Sequence, residues 1–126
     1  MTKKRDIGDK GEEIASNYLI KNGWKIIERN FRKPWGEIDI IAKDKKGILV
    51  FVEVKTMNKN ENIKPEDNLT KSKLEKLKRT SSGYAAAHND LLGKRGWRID
   101  LIAIDILTDI NKDVIDFSIR HFENIA

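Results

Sequence analysis

The chain has 126 residues, with 25 Lys and Arg against 20 Asp and Glu for a net charge of +5. That length suits one domain able to bury a sizeable core unaided, and the lack of cysteine excludes disulfides, thiolate metal sites and thiol catalysis and fits a reducing, cytoplasmic setting. The longest apolar runs, 38–42 and 101–107, are short and interrupted by Asp39 and Asp105, so neither a signal peptide nor a membrane span is expected. The modest basic excess is compatible with a nucleic-acid partner, and Lys and Arg gather at 3–5, at 71–79 and at Lys94, Arg95 and Arg98.

In chain order, Ile7, Gly11, Ile14, Ala15, Tyr18 and Leu19 recur at helical spacing and predict a helix over 7–22, with Asn22-Gly23 as its stop. Residues 24–31 read as a strand, Pro34-Trp35-Gly36 as a turn, and 37–42 and 48–55, rich in Ile and Val, as the two clearest strands. The polar stretch 57–68, which contains Pro65, reads as a loop. Ser72-x-x-Glu75 matches a capping box, and Leu74, Leu77, Tyr84, Ala85 and His88 carry a helical stripe to about residue 89. After a loop over 89–96, strands are expected at 98–107 and 114–122. The order α-β-β-β-α-β-β implies an α/β fold, a single mixed sheet flanked by helices.

Chemistry concentrates in Gly36-Glu-Ile-Asp-Ile-Ile41 and Phe51-Val-Glu-Val-Lys55. Strand alternation puts Glu37, Asp39 and Ile41 on one face with Ile38, Ile40 and Ala42 on the other, and likewise Phe51, Glu53 and Lys55 opposite the valines. A three-residue hairpin loop, with Gly47 in the left-handed position, pairs Asp44 with Ile48 and so sets Asp39 opposite Glu53 and Glu37 opposite Lys55. Two carboxylates ~4 Å apart repel by about 4 kcal/mol at an effective dielectric of ~20, so such a pair calls for a proton or a cation. Lys55 supplies one charge, and a hard divalent ion suits the remainder. Glu-x-Lys on a strand is ordinarily a surface ion pair; the partner Asp39 and a third acid, Glu12, distinguish this one. Glu12 borders the apolar stripe of the first helix, whereas Glu13 points toward solvent.

Taken together, Gly8-x-x-Gly-Glu12-x-x-Ala15, Glu28-Arg-Asn-Phe-Arg32, Gly36-Glu-Ile-Asp-Ile-Ile41, Phe51-Val-Glu-Val-Lys55, Arg98-x-Asp100 and Glu123-Asn-Ile-Ala126 resemble the YraN-like family of small bacterial proteins. That family lies in the PD-(D/E)XK nuclease superfamily and is similar to Hjc-type Holliday junction resolvases. The resemblance implies a restriction-endonuclease-like core in which Asp39 and Glu53 are the motif acids, Lys55 the motif lysine, Glu12 the helix glutamate and Lys73 a basic position. Ile38 replaces the proline of the superfamily's name, and Met57 stands where the family usually has arginine.

On that basis the expected function is metal-dependent endonucleolytic cleavage of DNA, branched or junction DNA included. Mg²⁺, with Mn²⁺ able to substitute, would be held by Asp39, Glu53 and the Val54 carbonyl, with Glu12 acting through water or at a second ion. Lys55 would orient the attacking water, Lys73 and Arg32 would grip phosphate, and a homodimer would suit a substrate cut twice. Trp24 and Trp97 suit packing; Trp35, in the turn beside the motif strand, is the one candidate for base stacking. His88 and His121 lack metal-ligand spacing. A module of the same fold that binds nucleic acid without cutting is the alternative, and a purely structural ion-pair network the third reading.

Overall fold

The computed structural model describes residues 3–59 and 69–126. Its elements are α1 (Lys3–Lys21), β1 (Lys25–Lys33), β2 (Gly36–Lys43), β3 (Leu49–Asn58), α2 (Lys71–Ala87), a 3₁₀ turn (Asn89–Leu91), β4 (Trp97–Thr108) and β5 (Val114–Phe122), in the expected order. The five strands form one sheet in sequential order. All neighbours are antiparallel except β3 and β4, which are parallel because α2 carries the chain back across the sheet between them. No helix among the described residues is long and apolar enough to cross a membrane.

Local chemistry explains most boundaries. The helix α1 ends where Gly23 takes φ +86°, with the Trp24 N–H returning to the Leu19 carbonyl. The hairpin loop after β2 closes as expected: the Asp44 N–H donates to the Ile48 carbonyl and Gly47 takes φ +84°. Two boundaries differ from expectation. The cap of α2 is Thr70, whose hydroxyl accepts from the Lys73 N–H, so Ser72 lies inside the helix and forms no capping box. Met57 and Asn58 extend β3 rather than opening a loop, because β4 offers ladder partners as far as Asn58↔Ile106; the expected loop residues 60–68 lie outside the described residues.

Each face of the sheet carries a helix. Ala15 and Leu19 of α1 pack on Ile40, Ala42, Val50, Val52, Ile102 and Ile104, while Leu77, Tyr84 and Ala85 of α2 pack on Ile38, Ile41, Phe51 and Ile99. Ile41 and Phe51, assigned by alternation to a charged face, are therefore buried under α2. Two glycines set how closely the layers approach. A Cβ on Gly11 would land in the Thr56 side chain, and one on Gly36 in the Thr80 hydroxyl, so α1 sits on β3 and α2 on β2 at backbone distance.

A buried ionic cluster closes the far end of the sheet. Asp100, with no exposed surface, accepts from Arg98 Nε (2.9 Å) and the Asn124 N–H (3.0 Å) and bonds His121 Nε2 (2.8 Å). Arg98 also bonds Asp44 (2.8 Å) and pairs with Glu123 (3.5 Å). Arg98 is thus a structural cation rather than part of a solvated basic patch. Burial pushes the Asp100 carboxyl up, but the bonds from His121, Arg98 and Asn124 outweigh it and hold it below the ordinary range.

Gly36→Ala is expected to destabilise the protein by about 1–3 kcal/mol through overpacking, and Thr80→Ala in the same chain should recover part of that loss; a double-mutant cycle from denaturant melts measures the coupling, and strict additivity would contradict the close approach. A carboxyl with a lowered folded value stabilises above its unfolded value and stops doing so as pH falls through the folded one. Asp100→Asn should accordingly cost about 3–5 kcal/mol near neutrality, with the gap from wild type narrowing only in strong acid, as read from urea midpoints between pH 2 and 7.

Candidate active site

The site arises where β2 leaves β3. Their ladder holds the expected register from Lys43↔Leu49 to Ile40↔Val52 and then stops. Continuing it would give the Val54 N–H to the Ile38 carbonyl; instead that N–H donates to Asp39 Oδ2 at 2.8 Å. Alternation breaks at the same point, since Ile38 packs with the α2 cluster while Ile40 and Ala42 pack with the α1 cluster. On the neighbouring strand Asn30 takes φ +54°, and the β1–β2 pairing passes from Arg29↔Ile40 to Phe31↔Ile38. Asp39 thus stands at a fork. Because N–H and C=O of one strand residue project to the same edge, the Val54 carbonyl faces this fork as well.

Glu53 meets Asp39 there by side-chain contact rather than as a ladder partner. Its side chain is 18 % exposed, and Lys55 Nζ lies 3.6 Å from its Oε2. Burial first, then hydrogen bonding and repulsion from Asp39, push the Glu53 carboxyl up to about 9, against the pull of Lys55. The pair therefore retains a proton at neutral pH that an isolated glutamate would have shed. Glu37, expected opposite Lys55, instead bonds Arg32 at 2.6 Å, because the ladder that would have brought it to Lys55 has ended.

Glu12 lies one layer away, on α1. It is half-buried while Glu13 is exposed, as the helical spacing implied. Burial and then the Asp39 charge raise its carboxyl to about 7, partly offset by Arg29 and Arg32. Asp39 is therefore felt by both other acids, yet among the described residues no three acids or histidines converge tightly enough to cage an ion by themselves.

Glu53 and Lys55 also open onto a cavity of about 540 Å³ between the β1–β2 hairpin and α2. Four lysines line it, Lys33, Lys55, Lys73 and Lys76, together with Glu37 and Glu53. Lys73 was expected there. Lys76 was not, although it follows Lys73 by one helical turn and so shares its face. Arg32 is not among the lining residues, being held by Glu37, and Lys33 beside it takes that place. Trp24 packs against His121 and Trp97 against Phe51, and His88 stacks on Tyr84. Trp35 is 64 % exposed.

The donors at the fork fit a hard divalent cation. Two carboxyl groups forced together and deprived of water favour charge compensation, a backbone carbonyl faces the same edge, and oxygen is the ligand such ions take.

Comparison with known proteins places the chain in a family. A model described as "Uncharacterised protein family UPF0102" matches residues 11–104, a span that includes Glu12, Asp39, Glu53, Lys55 and Lys73. A UPF0102 protein of Thermodesulfovibrio yellowstonii is 39 % identical over 119 residues, covering 94 % of each chain. One of Clostridium botulinum (strain Loch Maree) is 40 % identical over 123 residues, covering 95 % of this chain and 93 % of the relative. Another, of Trichlorobacter lovleyi, is 36 % identical over 110 residues, covering 87 % and 84 %. The chain belongs to the UPF0102 family, in agreement with the YraN-like resemblance carried by its motifs.

Proposed function

We propose that this protein is a divalent-metal-dependent endonuclease that hydrolyses phosphodiester bonds in DNA. The observation that carries the reading is the Asp39–Glu53 carboxyl pair with Lys55 beside it, opening onto a cavity ringed by lysines. Asp39, Glu53 and the Val54 carbonyl would hold Mg²⁺ or Mn²⁺, and Glu12 would act on it through water or at a second ion. Such an ion, when bound, supplies charge neutralisation at the phosphate and acidifies a water beside it.

The chain's own groups do the rest. Lys33, Lys73 and Lys76 draw the phosphate backbone into the cavity and hold it against the acids. Lys55 balances charge on the phosphate or orients the attacking water, and Glu53 keeps it in place across 3.6 Å. Asp39 is held by the Val54 N–H, so one of its oxygens is committed to the strand, and the proton shared with Glu53 must leave before the pair can take the cation. The resemblance to junction resolvases favours branched DNA as substrate. The standing of Glu12 apart from a three-acid cage favours a second reading, a module that binds nucleic acid without cutting it.

Asp39→Asn, Glu53→Gln and Lys55→Ala are each expected to lower Mg²⁺-dependent cleavage by about a hundredfold or more, as for loss of a group that stabilises developing charge. The assay is a panel of duplex, flap, single-stranded and four-way-junction DNA, with melting curves to confirm folding. Binding without cleavage across the panel selects the second reading, and wild-type cleavage by Glu53→Gln removes the site from the chemistry.

Loading a cation must also expel the proton that burial and Asp39 hold on Glu53 up to about pH 9. Mn²⁺ titrations in buffers of different ionisation heat should therefore show about one proton released per ion at neutral pH, with affinity rising about tenfold per pH unit and levelling off once Glu53 is ionised. No release and a flat profile would contradict the shared proton.

A further inference from the structure

Beside the lysine-lined cleft lies a second cavity of about 440 Å³, and the two share Lys33 and Thr80. Its walls are aromatic. Phe31 meets Tyr84 edge-on with ring centres 5.0 Å apart, and His88 stacks on Tyr84 at 4.0 Å and 17°. The Tyr84 hydroxyl donates to Glu28 Oε1 at 3.1 Å, which puts a carboxylate at the polar edge. Trp35, in the β1–β2 turn, borders the opening and leaves most of its indole in solvent.

Gly83 also lines this cavity, and no close approach among the described residues requires it. It lies in the interior of α2, where glycine disfavours the helix relative to alanine. A Cβ built on it meets no atom of the described residues beyond its own helix within 4 Å, as at Gly8 and unlike Gly11 and Gly36, and its φ is not positive. Itself exposed, Gly83 leaves open floor in the cavity that the exposed Trp35 also lines. The volume falls in the range of small-molecule sites, too small for a duplex and suited to one planar heterocycle.

Resting on the nuclease reading above, we propose that this cavity is a nucleobase site. It takes one unstacked base, between Trp35 and the floor at Gly83, while the adjoining phosphate lies among Lys33, Lys73 and Lys76. Lys33, common to both cavities, links the base to its phosphate. The substrate class that follows is nucleic acid with unpaired nucleotides at the cleavage point, a single-stranded tail or a branch, because a continuous duplex offers no base to insert. Stacking on an aromatic surface recognises every base, so the site selects structure and not sequence.

The test measures fluorescence anisotropy in EDTA, where no cleavage is expected, with two labelled DNAs: a blunt duplex and the same duplex carrying a single-stranded thymidine tail. Wild type should bind the tailed DNA more tightly. Trp35→Ala removes the stacking surface, and Gly83→Leu fills the floor with a residue the helix accepts. Each should weaken binding of the tailed DNA about 10- to 100-fold, leave the duplex unchanged and keep the wild-type melting curve, while Trp35→Phe should retain most of the preference. The proposal is overturned if both variants keep the wild-type preference, or if they lose affinity for both DNAs equally. Failure of the wild type to bind either DNA removes the nucleic-acid reading itself, whereas a wild-type preference that survives in both variants removes only the base site.

Discussion

Past Ile40 the second strand parts from the third, and the amide that would have continued the ladder bonds to a carboxylate. An unsatisfied backbone N–H at such a fork would cost roughly 1–3 kcal/mol, so Asp39 secures the divergence while being immobilised by it. The same bond presses Asp39 toward Glu53, on a strand buried on both faces by helices, where water is scarce. The register alone already sets these acids opposite each other. The break in the ladder fixes Asp39 by the Val54 amide and frees a backbone carbonyl edge beside the pair.

The electrostatics have two layers. The acids at the fork are partly shielded from solvent, whereas the lysines of β1, β3 and α2 face a solvent-accessible cavity. Positive and negative side chains thus meet in one cleft, with Lys55 and Glu53 paired at its inner edge. The two helices contribute differently. The α1 helix brings Glu12 to the Asp39 side, and α2 brings Lys73 and Lys76 to the Glu53 side, each at a distance governed by one glycine against one threonine.

Much of this was legible in the residues. Helical spacing in α1, the Ile- and Val-rich strands and the Gly47 loop gave the element order and the correct register, because each is a local signal. The fork was not legible, since strand alternation carries no mark of where two strands diverge; assigning Ile38 to the face of Ile40 followed from assuming a regular pleat. The role of Thr70 was obscured by a well-formed Ser72-x-x-Glu75 pattern two residues later. Arg98 looked like a basic surface residue because two of its partners, Asp44 and Glu123, are distant in sequence, and only tertiary structure brings them to the side already bonded to Asp100. Lys76 followed from Lys73 by helical geometry and could have been inferred. Glu12 was placed at the edge of the helical stripe, and it lies there, within reach of the Asp39 field though not in a closed cage.

Asp44 divides its two carboxylate oxygens between distant parts of the chain. One closes the hairpin loop by accepting the Lys46 and Ile48 N–H groups, and the other holds Arg98, 54 residues away. Arg98 in turn belongs to a cluster completed by Glu123 and by the Asn124 N–H on Asp100. The turn that registers β2 against β3 is therefore braced by residues translated well after it. During translation the hairpin can form early on its own hydrogen bonds, but its brace engages only after Arg98, and the cluster around it only after Asn124, has followed from the ribosome. Assembly of the acid pair is thereby tied to a late, long-range step of vectorial folding.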